Sequence, residues 1–244
     1  MRARRSDISQ GKTVPGCAHF GETEELRELL NTGHDPNIRN IKSGFTAAHH
    51  AATKGDLEML RLLASHRADF DLANYNGAYP LHFAASHRHI DAVQFLLDNG
   101  AHIDAGIGGR SSTPLNWVSH DDTPMFRFLL DKQASPNVMN LSHHSPLAKV
   151  IMPGHIIQVC LLLQYGAGPN LGTCDVWRDG RFYGELPPLH LAAFYGMLTI
   201  AEKLIEAGAS EQRVRCYGLE RTALEIANVF GHPRVAALIA GHFK

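Results

Sequence analysis

Tyr79-Pro80-Leu81-His82-Phe83-Ala84-Ala85 recurs, with changes, along the chain. Thr46-Ala47-Ala48-His49-His50-Ala51-Ala52 precedes it, and Pro187-Pro188-Leu189-His190-Leu191-Ala192-Ala193 follows much later. Fainter copies are Thr113-Pro114-Leu115-Asn116-Trp117, Ser145-Pro146-Leu147-Ala148-Lys149 and Thr222-Ala223-Leu224-Glu225-Ile226-Ala227. Their first residues fall at 46, 79, 113, 145, 187 and 222, near a constant step except for one long interval. A degenerate copy comes first, with Cys17-Ala18-His19-Phe20-Gly21 in the place of Ala51-Ala52-Thr53-Lys54-Gly55. A fixed period of this length marks stacked supersecondary units, each too small to stand alone.

The residue types explain the unit. Thr or Ser before the first turn offers a side-chain cap, and Pro fits that turn because its missing N–H would be unpaired anyway. Leu81 and Leu189 then point to the core, and the Ala-Ala pair is small enough to let neighbouring helices approach. Gly55, Gly154, Gly196 and Gly231 suit the left-handed stop of a first helix, and Gly100, Gly166 and Gly208 that of a second. Asn74-Tyr75-Asn76-Gly77 has the chemistry of a tight turn.

Composition narrows the function. The chain has 244 residues, 44% of them hydrophobic, with 23 Lys+Arg against 24 Asp+Glu and a sequence pI near 7.0. A basic excess is missing, so neither nucleic acid nor a membrane surface is the expected partner. No apolar run is long enough for membrane insertion. Residues 1–11 read as a solvated tail without the apolar stretch of a signal peptide. Cys17, Cys160, Cys174 and Cys216 are widely spaced, which suits reduced thiols in a cytoplasmic or nuclear protein.

Catalytic and metal chemistry find no footing. Gly11-Lys12-Thr13 resembles the end of a phosphate loop, but Ser6 stands where that loop needs glycine. His87, His89, His143 and His144 lack spaced third and fourth ligands and read as solvated. Asp121-Asp122 reads as an exposed turn. The expectation is no enzyme, no cofactor and no metal.

The T-P-L-H-x-A pattern at this period, with Gly-Ala stops at Gly100-Ala101, Gly166-Ala167 and Gly208-Ala209, resembles the ankyrin-repeat family over roughly residues 12–240. The resemblance implies an all-α solenoid of stacked helix-turn-helix units linked by β-turn or hairpin fingers. About seven units are expected: 12–44 (degenerate), 45–77, 78–111, 112–143, 144–185 with a long inserted finger, 186–220, and a C-terminal cap over 221–244. In such a fold His49, His82 and His190 bridge turn backbones between repeats. Asn37, Asn137 and Asn170 occupy turns like those hydroxylated in other ankyrin proteins.

The family also implies a non-enzymatic adaptor or scaffold, here expected as a monomer, holding a protein partner or extended peptide. Its concave surface is formed by turn tips and the outer sides of first helices. Residues carried onto that surface are Phe45, Tyr75, Phe83, Arg110, Trp117, Lys149, Tyr183, Phe194 and Tyr195, with His50 and Leu191 beside them. Rings where solvated polar groups would be ordinary point to a contact surface.

Two irregularities add candidates. Ser112-Thr113-Pro114-Leu115-Asn116-Trp117, after the glycine-rich link 106–111, is similar to the ankyrin part of DHHC-type palmitoyltransferases. In that family the matching tryptophan helps hold extended segments, although their catalytic Asp-His-His-Cys motif does not occur here. Residues 171–185 form an inserted stretch, read as an extended loop, in which Trp177, Arg178, Arg181 and Tyr183 supply a contact-prone mixture. The last helix is apolar for a terminal one. The alternative function is therefore the substrate-targeting ankyrin portion of a larger enzyme, such as an acyltransferase or a ubiquitin ligase subunit.

Overall fold

The computed structural model describes residues 12–106, 112–140 and 142–243. The tail expected over residues 1–11, and residues 107–111 of the glycine-rich link, lie outside the described residues. The chain falls into two compact units, one ending at Ser119 and the other starting at His120.

In the first unit, helix pairs α1 (Val14–Phe20) and α2 (Thr23–Asn31), α3 (Ala47–Lys54) and α4 (Leu57–Ser65), and α5 (Pro80–Ser86) and α6 (Ile90–Asp98) are followed by α7 (Pro114–Trp117). First helices stack in sequence, α1 on α3, α3 on α5 and α5 on α7, while α4 packs on α6. The second unit runs α8 (Thr123–Asp131), α9 (Pro146–Ile151), α10 (Ile156–Gln164), β1 (Cys174–Arg178), β2 (Arg181–Leu186), α11 (Pro188–Tyr195) and α12 (Leu198–Glu206). It ends with β3 (Val214–Cys216), β4 (Leu219–Arg221), α13 (Ala223–Val229) and α14 (Pro233–His242). There α9, α11 and α13 stack as first helices, and α8, α10, α12 and α14 as second ones. No helix among the described residues is long and apolar enough to cross a membrane.

The stack closes where the sequence puts its smallest residues. Ala47, Ala51, Ala84, Ala85, Ala192 and Ala193 are buried, and Leu81, Leu115, Leu147 and Leu189 occupy one equivalent core position. Gly55 has φ 67°, and an added Cβ there would come within 2.6 Å of the His89 ring of the next repeat. Glycine is thus required twice, by the backbone sign and by the neighbour.

Several local expectations change. The stretch read as an extended loop is the antiparallel hairpin β1–β2, with a bulge between Val176 and Trp177. A second, shorter hairpin, β3–β4, is one of the hairpin fingers expected between repeats. Helix α7 spans only four residues and ends at Val118 in extended backbone (φ −61°, ψ 136°). Asp122 is buried rather than an exposed turn residue, because its carboxylate caps α8 by accepting the Met125 N–H at 3.2 Å. His144 is half-buried, its Nε2 3.8 Å from the Asp175 carboxylate of the hairpin.

Three sets of bonds tie repeats to their neighbours. His49 Nδ1 accepts the Thr46 N–H at 3.1 Å, leaving Nε2–H to donate to Ala78 O at 3.0 Å. His82 does the same between the Tyr79 N–H (3.2 Å) and Ser112 O (2.6 Å). The ring thereby caps its own helix and grips the following finger; in the last repeat Glu225 does the capping alone, accepting the Thr222 N–H at 2.9 Å. Fingers are also clipped main chain to main chain: Tyr75 N–H to Ser43 O, Thr173 N–H to His143 O and Tyr217 N–H to Tyr183 O, at 3.1, 3.0 and 2.8 Å. Side chains of Asn37, Asn137 and Asn170 add a third tie, accepting the N–H groups of Asp69, Gly168 and Ser210 at 2.8, 2.8 and 2.7 Å.

His190 departs from this scheme for a legible reason. Its Nε2 reaches Gln212 O at 2.8 Å, but the residue three before it is Pro187, which has no N–H to offer. The His190 Nδ1 is accordingly buried without a hydrogen-bond partner.

Two predictions follow from these rings. Burial, the dominant cause, lowers the pKa of His49 and of His82 from 6.5 to about 4. An unfolded chain binds protons at these sites below pH 6.5 while the folded one does not, so stability is complete above that pH and falls toward pH 4. Each ring contributes a slope of up to about 1.4 kcal/mol per pH unit within the window; urea unfolding midpoints that stay flat from pH 7 to 4.5 would contradict this. Pro187→Thr supplies the missing N–H. Its gain of ~1–3 kcal/mol from satisfying a buried acceptor outweighs the ~0.4–1 kcal/mol lost with the rigid proline, so thermal and urea midpoints are expected to rise.

Candidate protein-interaction surface

The first unit lines up its rings. From α1 onward, Phe20 touches His19 (4.8 Å between centroids), His19 touches His50 (4.9 Å), and His50 touches Phe45 (5.2 Å). Phe45 then meets Phe83 (4.9 Å) and Phe83 meets Trp117 (5.6 Å), whose edge also meets the His82 ring (5.0 Å). The stacking of α1, α3, α5 and α7 produces the run, since each first helix or its finger contributes one or two rings at equivalent heights. Phe45, Phe83 and Trp117 are half-buried, so each packs on a neighbour and keeps a side toward solvent. His50 is held neutral, its pKa lowered to about 4 by burial and then by the neighbouring His19 and Lys54 charges.

More exposed apolar groups border the run. Phe20 is 76% exposed, Ile41 87% and Tyr75 54%. The Tyr75 ring lies over Gly44, where a Cβ would come within 2.6 Å of its Cδ1. Phe45, Tyr75, Phe83 and Trp117 are thus gathered in one unit; Arg110 falls outside the described residues.

The second unit arranges its rings differently. Phe194 was expected on the surface, but it is 0% exposed: Phe230 of the next first helix stands 4.3 Å away and Tyr183 of the hairpin 5.2 Å away. Leu191 is likewise buried rather than exposed. One segment before α11, the hairpin, and one after it, at the end of α13, close over Phe194, which its own repeat could not reveal. Tyr183 is half-buried, stacked on Tyr217 (5.2 Å) and edge-on to Phe230 (5.6 Å). It anchors the hairpin to the helices.

Trp177 stays out, 64% exposed and 5.1 Å from Phe182 across the hairpin. Beneath lies a shallow pocket of about 370 Å³ lined by Phe182, Tyr183, Gly184, Glu185, Arg215 and Gly218. Tyr195 is half-buried beside Phe194. Lys149, on α9, is half-buried, and burial pushes its ammonium pKa down.

Sequence reasoning passed over Tyr217 and Phe230, and over Phe20 as a surface ring. Phe20 aligns with the exposed Lys54 in the degenerate copy, so the alignment carried that signal. Tyr217-Gly218 and Asp179-Gly180 are two-residue turns with φ of 51° and 76°, and 51° and 72°. The Asp-Gly pair in particular is a hairpin signal.

The contrast between the two units is testable. Phe194→Ala is expected to lower unfolding free energy by ~3–5 kcal/mol. Tyr75→Ala should change it by no more than about 0.5 kcal/mol. Denaturant titrations that rank them the other way would return Phe194 to the surface.

Known proteins agree with the architecture. A family model described as "Ankyrin repeats (3 copies)" matches residues 16–107. The chain is 43% identical over 75 residues to Protein phosphatase 1 regulatory subunit 12A of Mus musculus, a match covering 31% of this chain and 7% of that protein. It therefore spans only a small fraction of that relative's length. It is 36% identical over 89 residues to the Notch-regulated ankyrin repeat-containing protein of Homo sapiens, covering 35% of this chain and 78% of that one. The crystal structure of the ankyrin repeat domain of Bcl-3 superposes with a TM-score of 0.74 at 23% identity, covering 95% of this chain and 99% of the other, a likeness of fold. Repeat spacing, stacked helix pairs and sequence relatives converge: the chain belongs to the ankyrin-repeat family.

Proposed function

We propose that this chain is a non-enzymatic adaptor or scaffold whose first unit docks a partner protein along Phe45, Phe83 and Trp117, with Tyr75 beside them. Ankyrin-repeat domains generally serve protein–protein interaction. The observation that carries the proposal here is the run of half-buried rings on consecutive first helices. Rings that only filled the core would be closed on every side, as Phe194 is. These keep apolar area toward solvent, held in place by packing on the other side, which is the arrangement of a preformed anchor site. Trp177 and Lys149 extend the proposal to the second unit as a separate contact. Repeats over residues 12–244, a monomeric state, and a cytoplasmic or nuclear setting suited to four free cysteines belong to the same reading.

A second reading places the array as the targeting part of a larger enzyme. It draws support from the name of one relative, a phosphatase regulatory subunit. Assaying captured complexes for associated phosphatase, acyltransferase or ubiquitin-ligase activity separates it from a plain scaffold.

The main experiment compares affinity capture by wild type, Trp117→Ala and Phe83→Ala, with quantitative mass spectrometry. Specific partners are expected to drop about tenfold or more for both variants while circular dichroism and melting stay near wild type. Partner recovery unchanged in both variants would overturn the docking surface.

A further inference from the structure

We infer that the occupant of the first unit's ring run is an acidic, extended peptide with apolar side chains, selected by Arg39, Lys42 and Lys54. This deepens the docking proposal and rests on it. The argument is the distribution of charge around the rings.

None of the four ring-bearing helices α1, α3, α5 and α7 contains Asp or Glu, and neither do the finger turns over residues 38–45 and 72–79. The second helices of the same unit carry Glu24, Glu25, Glu28, Glu58, Asp91 and Asp98, and the remaining carboxylates among the described residues, Glu22, Asp35, Asp56, Asp69, Asp71 and Asp104, lie in connecting segments outside those helices and turns. Some are matched there by cations: Arg27 sits 3.5 Å from Glu24 and 3.4 Å from Glu58. The second helices are acidic and partly neutralised, whereas the ring-bearing helices and the two finger turns around Phe45 and Tyr75 carry only positive and neutral groups.

The positive groups stand close to the rings. Arg39 and Lys42 are exposed on a finger closed by the Asn40 N–H to Phe45 O bond at 2.7 Å and the Gly44 N–H to Asn40 O bond at 2.8 Å. That turn places both within a few residues of Phe45. Lys54 Nζ donates to Ala18 O at 3.1 Å and His19 O at 2.6 Å, so its charge sits beside the His19–His50 contact. Arg39 also acts on His49, and Lys54 on His50, as lesser influences beside burial that help keep the rings neutral.

Apolar rings bordered by cations, on helices and finger turns that hold no carboxylate, complement a chain in which apolar and acidic residues alternate. On an extended segment, alternate side chains face one way, so the apolar set can meet the rings while carboxylates reach the fingers. Consecutive rings from Phe20 to Trp117 lie 4.8–5.6 Å apart. Extended chain at about 3.3 Å per residue covers such a run with roughly seven or eight residues.

Selection from a displayed library of random peptides, each of roughly twelve residues so as to exceed that span, tests the inference on the full chain. Wild type is expected to enrich net-negative sequences containing aromatic or aliphatic residues. The double variant Arg39→Glu/Lys42→Glu should still enrich apolar sequences but lose the acidic bias. Lys54 is left intact because it also caps α1. A selected peptide, made synthetically and followed by fluorescence anisotropy, should weaken about tenfold between ~0.05 and ~0.5 M salt. Enrichment of neutral or basic sequences that Trp117→Ala abolishes would overturn the acidic selection and leave the docking surface standing. Enrichment no greater for wild type than for Trp117→Ala would overturn both.

Discussion

A neutral imidazole buried at the third position of a first helix, His49 in one repeat and His82 in the next, is what the finger contacts of the first unit depend on. Its two nitrogens face opposite duties: one accepts the N–H that would otherwise be orphaned at the helix start, and the other reaches a carbonyl in the following finger. Both work only while the ring lacks a second proton, and burial enforces that state. Glutamate closes the cap at the last repeat, where β3–β4 supplies the preceding connection. Fingers therefore take their places relative to the helices through side-chain bonds as well as through the clips between their backbones.

Fixing the fingers decides what the rings can do. In the first unit they fall into line along the stacked helices, each propped by its neighbour and open on one side. In the second unit a long hairpin and a short one lean together, and Gly184 in β2 (φ 128°) lets its backbone approach Arg215 O closely. Tyr183, itself stacked on Tyr217, and Phe230 then enclose Phe194. Similar residue types thus serve as a surface in one place and as a core in another, and the difference lies in what the adjoining repeat delivers.

That difference also explains what the sequence could and could not disclose. Leu81, Leu189 and the alanine pairs were legible because period and residue size decide their burial. So were the left-handed glycines, since few other residues tolerate that backbone. Phe45, Phe83 and Trp117 were legible as a group because equivalent positions in a regular stack stay equivalent. Phe194 was misplaced because its covering comes from residues 183 and 230, on a hairpin and a helix whose approach no local pattern encodes. Asp122 was misread for a simpler reason: an acidic pair looks exposed until one member is recognised as a helix cap. The four-residue α7 departs from its copies because Val118 turns extended, in a stretch (Pro114 to His120) one residue shorter than Pro80 to His87.

The clips between fingers run from Tyr75, Thr173 and Tyr217 to carbonyls of the preceding finger, and all three are donated by the main chain. Any residue but proline has such a group to give. Side chains on neighbouring fingers can therefore be exchanged over evolutionary time without disturbing the interval between them. Recognition and framework are separable in this protein, so a lineage can change what it grasps while inheriting the same ruler.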